Sequence, residues 1–358
     1  MHKVDFSLSK WNFTVHFNKE SDYKIYKEVI ENSVYDMYHK KTTSNPIIIN
    51  YINDKALYND ICINIANKDK QVISSFQNEF YDKYDNVFVS SKNRYLIYRD
   101  NNTFNIICKE NMIRPELIYI IREIYVRLQE NDKGIFMHGN GIKINDEGLV
   151  IIGNSGSGKT TFMFKLFEGN KGNLKYLSND RIFIKDNHEM EYFPIPLILA
   201  TGTARGIKPI FNYLKDKDKL YDSSFSKDTL LNGKENEKFE LFKNYIPKIF
   251  PNCELEEKER VNRIIIPKIN FNDKKVKIEV LSDYHKAMDM CFTPIDYESL
   301  RKPWIMDRNL SNEKLQENSE RIIKKQVDEE LVYTIEYNPL SDSKYIQEEV
   351  KEKILMKK

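Results

Sequence analysis

The segment from Leu149 to Gly169 constrains this chain more than any other. Leu149-Val150-Ile151-Ile152 has the length and branching of a short buried strand. It runs directly into Gly153-Asn154-Ser155-Gly156-Ser157-Gly158-Lys159-Thr160 and then Thr161-Phe162-Met163-Phe164-Lys165-Leu166-Phe167, with Gly169 as a helix stop. This satisfies G-x-x-x-x-G-K-[ST] in the strand, loop, helix context that the motif requires. The glycines let successive N–H groups turn inward around an anion, and the helix N-terminus adds favourable potential. Lys159 is expected to reach the β and γ phosphates, and the Thr160 hydroxyl to complete the coordination of Mg²⁺. The expected ligand is a nucleoside triphosphate, ATP or GTP, with Mg²⁺, held by Gly153 to Thr161 in an α/β fold.

Transfer of phosphate needs more than a loop that binds it: a carboxylate on the metal and, for a hydroxyl acceptor, a group that takes its proton. Asp180 is the leading candidate for both. It follows the expected strand Leu174 to Leu177, in the turn Ser178-Asn179-Asp180-Arg181, which antiparallel pairing could bring beside the loop. The competing reading is a solvated aspartate in an Asx turn. His138 is a second candidate because it ends an apolar strand immediately before Gly139; a lone histidine there also fits a satisfied core residue.

The remaining composition narrows the setting. Among 358 residues, 56 Lys+Arg face 54 Asp+Glu, a net charge of +2 with no concentrated basic stripe, which argues against nucleic acid as partner. Cys62, Cys108, Cys253 and Cys291 form neither a C-x-x-C pair nor a zinc knuckle, and read as reduced packing residues. The N-terminus alternates apolar and polar residues in place of a signal peptide, and apolar runs such as Ile47 to Ile49 fall far short of the about 20 residues a bilayer requires. A cytosolic protein with no membrane partner is expected.

Along the chain, Val4, Phe6, Leu8 and then Phe13, Val15, Phe17 alternate as a half-buried hairpin. After Ser21, the spacing of Ile25, Val29, Ile30, Val34 and Met37 turns helical. Ile47 to Ile52, Val87 to Ser90, Tyr95 to Tyr98 and Phe104 to Cys108 read as strands, with Asp100-Asn101-Asn102 as a turn. Pro115 opens an amphipathic helix over 114–130. Strands are expected at Ile135 to His138, Ile142 to Ile144, Leu149 to Ile152, Leu174 to Leu177, Arg181 to Ile184, Tyr192 to Leu199, Arg263 to Pro267 and Val276 to Leu281. Residues 211–260 read as charged and mostly helical. The expected division is an N-terminal α+β accessory domain (1–112), a catalytic domain of mixed sheet and helices (113–310) and a charged, partly helical segment (311–358).

Three pieces in order, Phe136-Met137-His138-Gly139, then Leu149 to Thr161, then Leu177-Ser178-Asn179-Asp180-Arg181, make the chain resemble the HPr kinase/phosphorylase superfamily over about residues 115–285. The resemblance implies a P-loop HPr kinase-like core, a serine kinase activity using ATP and Mg²⁺, and a homo-oligomer. It implies that His138 sits near the transferred phosphoryl group and that Asn179-Asp180 replaces the family's Asp-Asp, whose first member is the general base. An amide cannot take that proton as a carboxylate can, so the expectation is either that Asp180, with His138, takes over or that the chemistry differs from that of the family. Ala200-Thr201-Gly202-Thr203-Ala204-Arg205-Gly206 falls at the family's Glu-x-Arg-Gly loop, with Thr203 at the metal-binding acid. Arg205 fits there as a clamp for phosphate or an acidic acceptor, or as a solvated surface residue. No Pro-Gly-Arg-Asn phosphorolysis signature occurs after Ile264. The expected reaction is transfer of the γ-phosphoryl group to a Ser/Thr hydroxyl of a peptide or small protein, with ribosomal peptide modification as an analogy. The alternatives are a small-molecule kinase, such as one for a free amino acid, and a non-catalytic nucleotide-binding regulator.

Overall fold

The structure, a computed structural model, describes residues 1–34, 45–74, 80–90, 95–109, 116–217, 225–291, 305–306 and 309–356. The fold is mixed α/β, with sheets of eight, seven, four and two strands among the described residues. Two compact units divide the chain: 1–132 with 295–310, and 133–294 with 311–358. This differs from the division expected at 112 and 310. The helix Glu116–Asn131 groups with the first unit, and residues 311–358 group with the second. Pro115 and the expected last helical residue Met37 lie outside the described residues.

The first unit carries the eight-stranded sheet, in the order His2–Leu8, Trp11–Phe17, Ile47–Asn53, Thr103–Cys108, Tyr95–Asp100, Val87–Ser90, Phe80–Tyr84, Gln71–Ser74. Its first hairpin turns at Ser9-Lys10, with Ser9 at φ +55°, and buries Val4, Phe6, Phe13 and Val15 on alternate positions. The turn at Asn101, φ +53°, closes the later hairpin. The helix Lys55–Ile65, capped by Asp54, and the strands Gln71–Ser74 and Phe80–Tyr84 were not expected from the sequence. Within Glu116–Asn131, Arg127 is fully buried, its guanidinium 3.0 Å from Glu123 and also bonded to Glu130.

The second unit is built on the seven-stranded sheet, in the order Cys253–Leu255, Leu174–Ser178, Gly139–Ile144, Glu147–Ile152, Arg263–Ile269, Val332–Tyr337, Lys277–Val280. Glu147–Ile152, Arg263–Ile269 and Val332–Tyr337 are parallel neighbours, so the loop after Ile152 lies at their carboxyl edge, where open α/β sheets place ligands. One face of this sheet, with Ile142, Leu149, Ile151 and Ile335, packs on Phe162 and Leu166 of the helix Lys159–Gly169 and on Ile346 and Val350 of Ser343–Val350 and its continuation. The other face meets the four-stranded sheet Lys258–Arg260, Glu189–Tyr192, Ile182–Ile184, Ile135–Met137, whose Ile182 and Met190 fill the space that Gly141 leaves by having no side chain.

Several sequence expectations are corrected. Tyr192 to Leu199 is not one strand: Glu189–Tyr192 and Leu197–Ala200 belong to different sheets, separated by a stretch containing Pro194 and Pro196, which lack the N–H that a ladder needs. The described residues of 211–260 are not mostly helical. Lys238–Leu241, Cys253–Leu255 and Lys258–Arg260 are strands, paired despite their charge because their neighbours supply backbone partners. The tail contains the strand Val332–Tyr337 between two helices, Asn312–Asp328 and Ser343–Val350.

Candidate functional site

Two crossings between sheets build the site. The chain leaves the four-stranded sheet after Met137 and enters the seven-stranded one at Gly139; it makes the reverse move between Ser178 and Ile182. Both crossings are antiparallel partners, with Met137 opposite Ile182 and Gly141 opposite Ser178. His138 and Asp180 therefore face each other at one corner, and His138 Nε2 lies 2.8 Å from Asp180 Oδ1. Asp180 adopts φ +66°, and its N–H donates to Asn140 Oδ1 at 2.9 Å, which fixes the turn.

The glycine-rich loop stands beside this corner because Gly139 pairs with Ile152, the last residue before Gly153. A Cβ on Gly139 would lie 2.7 Å from Ile152 Cγ2 and 3.0 Å from the Ile151 carbonyl oxygen, so the close approach of the two strands requires glycine. In the loop, Gly153, Gly156 and Gly158 have φ of +145°, +84° and +91°. Lys159 Nζ spans the loop, donating to the carbonyls of Gly153 at 2.6 Å and Asn154 at 3.2 Å. Ser157 Oγ is buried with no hydrogen-bond partner among the described residues, which suits it to donate to a phosphate oxygen. Asn154, Ser155 and Gly156 are exposed at the outer turn of the loop.

The two adjacent residues Asn179 and Asp180 point to different partners. Thr160 Oγ1 donates to Asn179 Oδ1 at 3.0 Å, so the side chain beside the Thr160 hydroxyl, the one expected on the metal, is the amide. Asp180, expected to serve on the metal, pairs with His138. Burial acts to raise the Asp180 pKa, but the His138 hydrogen bond, Arg181 and the charges of His138 and Lys159 outweigh it and bring the carboxyl down to about 2. No group of three or more His, Cys, Asp or Glu residues that could hold a metal occurs among the described residues. Mg²⁺ arriving with a nucleotide fits Thr160 Oγ1 and Asn179 Oδ1, both hard oxygens, since this ion keeps several waters and takes most of its remaining ligands from phosphate.

The segment expected as a loop at Ala200 to Gly206 is a short helix, Thr201–Gly206. Thr203 Oγ1 lies 2.7 Å from Thr161 Oγ1, so the segment does reach the P-loop helix. Arg205 does not join the site. Two residues along a helix turn a side chain by about 200°, and Arg205 instead donates to the carbonyls of Leu231 at 3.4 Å and Gly233 at 3.1 Å.

Two site residues escaped sequence reasoning. Asn140, fully buried, holds the Asp180 turn; its only signal was a polar residue between two glycines. Tyr337 donates its hydroxyl to the Gly158 carbonyl at 3.0 Å from 179 positions away, with no local signal at all. The chain matches no protein-family model and no curated protein. No helix among the described residues is long and apolar enough to cross a membrane.

Proposed function

We propose that the second unit is an ATP-dependent phosphotransferase of the HPr kinase-like type, acting on a hydroxyl acceptor. The observation that carries this reading is the His138–Asp180 pair at the mouth of a phosphate-binding loop, two titratable groups delivered to one corner by separate strands. Gly153 to Thr161 would hold the triphosphate, with Lys159 on its β and γ groups and Thr160 and Asn179 on Mg²⁺, which neutralises charge developing on the phosphates. A carboxyl held near pKa 2 is itself a weak proton acceptor. Ionised, it keeps the proton of the shared bond on His138 Nε2 and leaves Nδ1 as the acceptor for the incoming hydroxyl proton, the logic by which an aspartate orients a histidine base.

The acceptor we favour is a Ser or Thr hydroxyl of a peptide or small protein. The first unit supports it: its eight-stranded sheet ends, among the described residues, at Gln71–Ser74, where Val72 is 63% exposed, and an edge strand can add a peptide strand. The site itself would serve a small-molecule hydroxyl by the same chemistry. A second reading, a nucleotide-responsive regulator, draws on Asn179, which puts an amide where the resembling family has a carboxylate.

Mass spectrometry of peptide and metabolite pools incubated with ATP, Mg²⁺ and either wild type or Asp180→Asn tests both. A species gaining phosphate with wild type alone is the result expected. ATP binding with no phosphate gain in either pool would overturn the kinase and leave the regulator.

A further inference from the structure

Two large apolar side chains stand in solvent at the carboxyl edge of the seven-stranded sheet: Phe271, 64% exposed, and Leu340, 83% exposed. Phe271 comes two residues after the strand Arg263–Ile269, and Leu340 three after Val332–Tyr337. These strands are parallel neighbours, with Ile269 opposite Tyr337. One buried side chain ties their loops together: Asn338 Nδ2 donates to the Phe271 carbonyl at 3.1 Å, while Asn338 Oδ1 accepts from the Leu340 N–H at 2.9 Å. Asn270 N–H adds a bond to the Tyr337 carbonyl at 2.9 Å.

Both strand ends touch the phosphate loop. Tyr337 bonds the Gly158 carbonyl, and a Cβ on Gly158 would lie 2.7 Å from Ile269 Cγ1. Strand order then fixes a direction. The strands that deliver His138 and Asp180 lie on one side of Glu147–Ile152, and those that lead to Phe271 and Leu340 lie on the other. A triphosphate whose γ group faces the His138–Asp180 corner sends its nucleoside the opposite way, toward the exposed aromatic ring.

We propose that Phe271 and Leu340 form the seat for the base of the nucleotide, with the ring stacking on Phe271 and Leu340 adding apolar contact. This rests on the reading of Gly153 to Thr161 as a nucleoside triphosphate site. Every base offers a π-face, so stacking alone discriminates weakly. The amides nearby, Asn270 and Asn338, are engaged in holding the two loops and the neighbouring Glu336. ATP and GTP are therefore expected to bind within a few-fold of each other.

The test compares Mg-ATP, Mg-GTP and inorganic triphosphate by calorimetric titration of the full chain as wild type, Phe271→Ala and Phe271→Trp. The expected result is ATP and GTP binding about ten- to a hundred-fold weaker in Phe271→Ala, with triphosphate binding unchanged. In Phe271→Trp the added fluorescence should be quenched by ATP and not by triphosphate. Unchanged ATP affinity in Phe271→Ala, or an equal loss for ATP and triphosphate, would overturn the base seat and leave the loop reading standing. Wild type that binds neither ligand would overturn the loop reading and the seat with it.

Discussion

His138 Nε2 and Asp180 Oδ1 lie 2.8 Å apart although 42 residues separate them, because each sits where the chain crosses between the seven-stranded and the four-stranded sheet of the second unit. Asp180→Asn removes the charge that orients His138 and is expected to lower the phosphotransfer rate by about 10²–10⁴-fold, with ATP affinity within a few-fold of wild type. Asparagine tolerates the left-handed φ at this position, so the fold should be kept. Steady-state kinetics beside calorimetric ATP titration would separate the two quantities, and loss confined to ATP affinity would remove the pair from the chemistry.

The same carboxyl gives a pH signature. Folding lowers its pKa from 3.8 to about 2, so its contribution to stability is full above the ordinary value and is lost as pH falls through the lowered one. Urea unfolding should find wild type more stable than Asp180→Asn by roughly 2 kcal/mol above about pH 4, a difference that closes toward about pH 2. A difference that grew with acid would contradict the ionised pair.

Asn179→Asp would set a carboxylate beside the Thr160 hydroxyl, now 3.0 Å from the amide oxygen. A hard anionic ligand at that point should lower the Mg²⁺ concentration needed for half-maximal ATP binding by several-fold. Magnesium titrations at fixed ATP would show it; an unchanged midpoint would place the metal elsewhere.

Gly139→Ala would push a methyl against Ile152 and the Ile151 carbonyl, on the strand that feeds the phosphate loop. The expected cost is about 1–3 kcal/mol, seen as a lower Tm, together with weaker ATP binding as the loop moves from His138. Gly206→Ala, which meets nothing within 4 Å, is the control and should leave both unchanged.

Arg205→Ala should reduce stability by about 1 kcal/mol through loss of its bonds to the Leu231 and Gly233 carbonyls. ATP affinity should hold. A large loss of affinity with unchanged Tm would return Arg205 to the role of phosphate clamp that its sequence position suggests.

The hairpin of residues 2–17 and the loop at Gly153 were legible because each is written in local spacing: alternation in the first, glycines and Lys-Thr between an apolar strand and helix in the second. Which of Asn179 and Asp180 faces Thr160 was not legible. That choice is made by one left-handed turn and by Asn140, an interaction across 40 residues. Lys258–Arg260 falls in a stretch that reads as charged and mostly helical, yet its backbone pairs with Glu189–Glu191, while Glu259 accepts from Lys143 at 2.9 Å. Val332–Tyr337 was hidden for a related reason, a six-residue strand flanked by Glu- and Lys-rich helices whose partners come from residues 263–280.

That late strand has a consequence for how the protein is made. Val332–Tyr337 lies inside the seven-stranded sheet, between Arg263–Ile269 and Lys277–Val280, and Ser341 and Ser343 just beyond it bond Lys165 and Glu168 of the P-loop helix. Phosphate loop and helix leave the ribosome nearly two hundred residues before these partners do. The second unit must therefore wait with an open sheet through the synthesis of everything between, and a chain stopped short of Tyr337 would carry the whole nucleotide motif with no finished sheet to hold it.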